Sequence, residues 1–141
     1  MDLNYLKGKK ILVVDDEPDI IDALMDLLDM CQVESALDFK SAKNYLQKHR
    51  YDAAVLDIMG VDGYGLLEIA IQQNIPALIL TAYALSAENF KKSIKNGAHI
   101  YLPKDKMYEI CEYLEELIKS NKKQEKRSGR WFVKLAPFFD K

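Results

Sequence analysis

With 141 residues, 49% of them hydrophobic and 30% charged, the chain has the make-up of one ordinary globular domain, which excludes a disordered, collagen-like or disulfide-scaffold class. Its net charge of −2 conceals an asymmetry, because residues 1–121 carry 13 Lys and Arg against 20 Asp and Glu whereas residues 122–141 carry 7 against 2. An acidic domain over 1–121, followed by a basic linker and aromatic C-terminal tail over 122–141, is the expected organisation.

Taken in chain order, short apolar runs alternate with helical patterns, as in a parallel sheet wrapped by helices. Ile11-Leu12-Val13-Val14, Ala53-Ala54-Val55-Leu56 and Ala77-Leu78-Ile79-Leu80 are continuous apolar runs, expected of strands buried on both faces. Val33 to Leu37 and His99 to Leu102 are shorter and mixed, which suits strands nearer the edges. Pro18 to Met30 opens on a proline suited to a first helical position and puts Ile20, Ile21, Leu24, Leu27 and Leu28 on one face. Phe39 to His49, Gly65 to Gln73, Ser86 to Asn96 and Lys106 to Lys122 supply four more helices, with Gly97 as the stop of the fourth of the five. The expected class is α/β, five strands and five helices in a doubly wound sheet with helices on both faces; periodicity alone leaves the strand order open.

Cys31 and Cys111 lie inside helix-like apolar patterns without metal-ligand spacing, so buried thiols are expected. His49 and His99 have no partner at ligand spacing and read as structural or surface residues. No apolar run reaches the roughly 18 residues that span a bilayer, and Met1 to Lys10 has no signal-type apolar segment, so a cytoplasmic location is expected.

In open α/β sheets the functional crevice lies beyond the carboxyl ends of the strands, and polar residues occur there in turn. Val14 is followed by Asp15, Asp16 and Glu17, Leu56 by Asp57, Leu80 by Thr81, and Leu102 by Pro103 and Lys104. Over roughly residues 7–121 this pattern resembles the receiver domain of two-component response regulators: an acidic pair after the first strand, a lone Asp57 after the third, Thr81-Ala82 after the fourth, and Lys104 after the fifth with Tyr101 three residues before it. The resemblance implies a flavodoxin-like strand order 2-1-3-4-5 with the site at the switch point between the first and third strands, where Asp16 and Asp57 would meet. It also implies a backbone carbonyl of Met59 as a metal ligand, and Thr81 with Tyr101 as a switch pair.

The residues support a matching chemistry. Neighbouring carboxylates stay ionised together only when a cation neutralises them, and an all-oxygen donor set with waters suits Mg²⁺. Asp15 and Asp16 are the metal candidates, with Asp57 beside them. Asp57 would then attack a phosphoryl group as a carboxylate nucleophile while Mg²⁺, the Lys104 ammonium and the Thr81 hydroxyl stabilise the transferring oxygens. The expected partners are a sensor histidine kinase or phosphotransfer protein and a downstream protein target. About twenty residues after the fifth helix are too few for a DNA-binding domain, so a single-domain regulator of the chemotaxis or phosphorelay kind is expected.

Two departures from the family pattern stand out. Asp57-Ile58-Met59-Gly60-Val61 runs directly into Asp62-Gly63, a loop about two residues short, and the usual Lys-Pro order is reversed in Pro103-Lys104. Two other readings stay open: a receiver-like interaction module that has lost phosphorylation, and a metal-dependent phosphohydrolase, although Met59 stands where such enzymes place a second Asp. Met59 and Tyr83 are bulky and lack a group to orient water, so a long-lived phosphorylated state is expected. In the tail, Trp131, Leu135 and Phe138 or Phe139 fall at helical spacing beside Lys134 and Lys141. Docking on a partner or on the chain itself is expected there ahead of a membrane surface, with packing back onto its own domain as the plainer alternative.

Overall fold

Strands built from runs such as Leu12-Val13-Val14 bury both faces, because successive side chains point to opposite sides of the sheet and each side is covered by helices. The computed structural model describes residues 3–82, 100–127 and 134–135. Its strands are β1 (Lys10–Val14), β2 (Gln32–Ala36), β3 (Ala53–Asp57), β4 (Ala77–Thr81), β5 (Ile100–Pro103) and β6 (Lys134–Leu135). All pairings are parallel, in the order β2-β1-β3-β4-β5-β6. The helices are α1 (Pro18–Leu27), α2 (Phe39–Lys48), α3 (Gly63–Gln72) and α4 (Ile110–Arg127), with short 3-10 segments at Leu3–Leu6 and Lys104–Glu109.

The core has two halves, one on each face of the sheet. Ile11, Val13, Ala53, Val55, Leu78, Leu80, Ile100 and Leu102 pack with Ile21 and Leu24 of α1 and with Ile110, Leu114 and Leu117 of α4. The alternate residues Leu12, Val14, Ala54, Leu56, Ala77, Ile79 and Tyr101 pack with Ala42 and Leu46 of α2 and with Leu66, Leu67 and Ala70 of α3. Each buried Leu or Ile contributes about 1.5–3 kcal/mol relative to exposure, so the period of two along every central strand fixes which residue serves which half. The doubly wound arrangement follows from that division.

Several boundaries differ from the sequence reading. α1 stops at Leu27 rather than Met30, its last residues turning toward β2 with the Cys31 N–H donating to the Leu28 carbonyl at 2.9 Å. α3 starts two residues early, at Gly63, because Asp62 adopts a left-handed conformation (φ 53°) and its carboxylate accepts from the Gly65 N–H at 3.2 Å. A capping side chain offsets the low helix propensity of the two glycines. The residues expected to open the last helix form a 3-10 segment instead, and α4 continues through Arg127. The last helix therefore runs on past Asn121 into the first residues of the basic segment.

Lys134 and Leu135 pair with Ile100 and Tyr101 of β5, so this part of the tail is extended rather than helical and lies on the sheet of its own chain. The helix expected over Ser86 to Asn96, together with Gly97, Tyr83, His99, Trp131, Phe138 and Phe139, lies outside the described residues. Cys31 and Cys111 are free and half-buried, with thiols donating to the carbonyls of Leu6 and Leu27 at 3.4 and 3.3 Å. Burial pushes the Cys31 thiol up to about 11. Among the described residues no helix is long and apolar enough to cross a membrane.

Candidate functional site

Register brings the polar strand ends together. Val14 is paired with Leu56, Asp57 with Leu80, and Thr81 with Pro103, so Asp15, Asp57, Thr81 and Lys104 follow one another along the carboxyl edge of β1, β3, β4 and β5. β1 is the strand from which the chain winds both ways, to β2 on one side and β3 on the other. The crevice expected of such a reversal opens there.

Lys104 holds the centre. Its Nζ lies 2.9 Å from Asp15 Oδ2, 3.1 Å from Asp57 Oδ1 and 3.4 Å from Glu17 Oε1. Asp15 is wholly buried and Asp57 is 3% exposed, and desolvation of such carboxylates is costly unless a cation and N–H donors satisfy them. Asp15 Oδ1 accepts from the Glu17 N–H at 2.9 Å, and Asp57 Oδ2 accepts from the Gly60 N–H at 3.1 Å. Burial raises the Asp15 carboxyl above its ordinary value, against the lowering effects of Lys104 and the Glu17 N–H. Burial pulls the Lys104 ammonium the other way, but its bonds to Asp15 and Asp57 prevail and hold it well above the ordinary lysine value. Lys104 is therefore a firmly charged cation facing three carboxylates.

Asp16 is exposed beside this cluster, and one carboxylate oxygen each from Asp15, Asp16 and Glu17 lie within 4.8 Å of one another. Asp15, Glu17 and Asp57 contact the Lys104 ammonium and Asp16 adds a further carboxylate, so among the described residues the crevice is rich in oxygen donors. That donor set fits a hard divalent cation such as Mg²⁺. Met59 follows Asp57 by two residues and is 72% exposed. Thr81 is buried at the end of β4, and Tyr101 is buried within β5, packed in the half of the core that α2 and α3 cover.

Of the residues expected in the site, the structure joins Asp15, Asp57 and Lys104 by direct contact and places Asp16, Met59 and Thr81 at adjoining strand ends; Tyr101 stands back in the sheet. Two participants escaped the sequence reading. Glu17 belongs to the same acidic run, and its contact with Lys104 could have been anticipated from that run. Gly60 was flagged only through the shortness of its loop. The peptide bonds of the described residues are all trans, Leu102–Pro103 included.

Residues 11–115 match the family described as the response regulator receiver domain. Response regulator GtcR of Aneurinibacillus migulanus is 37% identical over 80 residues, 53% of this chain and 33% of that protein. Response regulator protein PilR of Pseudomonas aeruginosa is 35% identical over 105 residues, 70% of this chain and 23% of that protein. The chain thus spans a third or less of the length of these curated relatives. Among solved structures, a CheY-like response regulator receiver domain protein from Methanospirillum hungatei superposes with a TM-score of 0.76 at 26% identity, covering 84% of this chain and 99% of that one. The receiver domain of a Francisella response regulator gives 0.70 at 32% identity, covering 79% and 98%.

Proposed function

The chain belongs to the response regulator receiver domain family, and we propose that it accepts a phosphoryl group on Asp57 from a phosphohistidine donor and signals through phosphorylation-dependent protein contact. The observation that carries this reading is the Lys104 ammonium held between two buried carboxylates, Asp15 and Asp57, at 2.9 and 3.1 Å. A buried cluster of this kind is costly to fold and is retained where the charges have work to do.

The step balances with one proton taken from solvent. A carboxylate oxygen of Asp57 attacks phosphorus, the P–N bond to the donor imidazole breaks, and the electron pair returns to that nitrogen, which takes up a proton. The product on Asp57 is an acyl phosphate. Lys104 already touches Asp57 Oδ1 and moves its charge onto the equatorial oxygens as they gain negative charge. The Thr81 hydroxyl donates to one of those oxygens, and the Gly60 N–H holds Asp57 Oδ2. Asp15, Asp16, Asp57 and the Met59 carbonyl would hold Mg²⁺. A cation there supplies positive charge that lets several carboxylates stay ionised beside an incoming phosphoryl group.

The phosphoryl group adds negative charge and acceptor oxygens. Thr81 moving to meet it empties space at the end of β4, and Tyr101, two strand residues upstream of its partner Pro103, is the large side chain that responds. Met59 is bulky and has no group to orient water, which disfavours in-line attack on the acyl phosphate and makes autodephosphorylation slow. The donor is a sensor histidine kinase or phosphotransfer protein, and the setting is the cytoplasm.

Intact mass after incubation with Mg²⁺ and acetyl phosphate tests the reading. A labile increment of about 80 Da, one phosphoryl group, absent in Asp57→Asn, is expected. A chain that stays unmodified with acetyl phosphate and with phosphohistidine donors is an interaction module instead.

A further inference from the structure

The loop after Asp57 is tied to the acidic crevice by a residue that has no side chain. The Gly60 N–H donates to Asp57 Oδ2 at 3.1 Å. A methyl group built on the Gly60 Cα would overlap the Asp16 carboxylate, meeting Oδ1, Oδ2 and the carboxyl carbon together. Gly60 therefore touches both acids, one through its amide and the other through its bare Cα. The same loop is closed behind it, with the Gly63 N–H donating to the Ile58 carbonyl at 3.2 Å. A methyl group on Gly63 would overlap the Asp57 carbonyl. Five residues, Ile58 to Asp62, thus turn tightly over the end of β3 and start α3 at once.

We propose that Gly60 is a positioning residue for the divalent cation: its backbone spaces the Asp16 carboxylate from the Asp57 carboxylate, and any side chain at this position drives Asp16 out of the ligand set. The inference rests on the reading that Asp16 and Asp57 hold Mg²⁺, and deepens it. Neither oxygen of Asp16 can retreat while keeping its place, because the overlap involves the whole carboxylate. Asp57 cannot follow Asp16 either, since it is buried and also bound to Lys104. A Cβ at 60 must then be accommodated by rotating the exposed Asp16 side chain away or by lifting the loop and losing the N–H bond to Asp57. Either movement alters the spacing of the two acids, and a small cation that demands near-ideal geometry tolerates little change. Supporting groups around a metal typically change affinity by about 10- to 100-fold when altered.

The test uses the full chain without phosphorylation. Calorimetric titration with Mg²⁺ is paired with a titration followed at the Gly60 amide in ¹H–¹⁵N spectra. The wild-type chain is expected to bind Mg²⁺, with the Gly60 amide protected from exchange and shifting at the calorimetric midpoint. Gly60→Ala is expected to keep the wild-type dispersion of amide signals and to bind about tenfold or more weakly, as Asp16→Asn does. Wild-type binding accompanied by an unprotected, unshifted Gly60 amide overturns the role of Gly60 even if the alanine variant does not fold. Unchanged affinity in a folded Gly60→Ala chain does the same, and both leave the site reading standing. A wild-type chain that binds no Mg²⁺ overturns the site reading itself, and this inference with it.

Discussion

At the carboxyl end of the sheet the largely buried Lys104 ammonium lies between the buried carboxylates Asp15 and Asp57. Away from that edge, Glu34 of β2, His49 at the end of α2 and Tyr51 just ahead of β3 form a second polar cluster. Tyr51 donates to Glu34 Oε1 at 2.6 Å, and His49 Nδ1 lies 3.3 Å from both Glu34 Oε1 and the Tyr51 hydroxyl. The His49 and Glu34 side chains are about half exposed. The clusters use similar chemistry, but water screens the half-exposed pair far more than the buried carboxylates. Charges in the half-exposed cluster can be removed cheaply because solvent replaces the missing partner; in the buried one it does so far less. The difference marks which cluster exists for something other than stability.

The largest expected effect breaks the buried cluster. Lys104→Ala leaves Asp15 without its cation, and urea denaturation without metal should show a loss on the order of 3 kcal/mol. Adding Asp15→Asn to that variant should restore most of it. A loss no larger than for an exposed pair would erase the contrast.

Next comes cation linkage. At a Mg²⁺ concentration of 100 times Kd the folded state should gain about 2.7 kcal/mol, read as a rise in melting temperature that disappears in Asp16→Asn. His49→Ala should leave that rise intact.

In the half-exposed cluster, Tyr51→Phe removes one hydrogen bond and should cost about 1 kcal/mol. Burial, followed by the bond to Glu34, raises the Tyr51 hydroxyl well above its ordinary value, so it stays a donor at any working pH. His49→Ala should change chemical stability by less than about 0.5 kcal/mol.

The smallest effect separates burial from position. Asp38 caps α2 at the carboxyl end of β2, accepting from the Ser41 N–H at 2.7 Å, yet it is exposed. That bond lowers the Asp38 carboxyl below 3.8. A carboxyl lowered on folding stabilises above its unfolded value, and the contribution fades as pH falls through the folded one. Asp38→Ala should therefore lower the melting temperature slightly near neutrality, with a difference that shrinks below pH 3.8.

Much of this arrangement was legible in the sequence. β1, β3 and β4 were plain because two-sided burial leaves no polar position in the run, and the acids, threonine and lysine at their ends stood out against it. Strand order was not contained in periodicity, and came with the resemblance. β2 was readable in outline, since Val33 and Ser35 alternate with more exposed neighbours at an edge. β6 was invisible: two residues, Lys134 and Leu135, carry no period, and only the free edge of β5 makes them a strand. Gly60 was equally hidden, because its contribution consists of an amide and an empty position, neither of which has a residue-type signature.

The strand order also bears on how the chain is made. After β1 and β2 pair, β3 joins the open side of β1, and β4, β5 and β6 each join the outer side of the strand before. No later strand has to be inserted between two already paired. A chain emerging from the ribosome N-terminus first can extend the sheet by accretion, each addition finding its template already synthesised. The site shares that schedule: Asp15 and Asp57 come together early, and the lysine that neutralises them arrives only with β5.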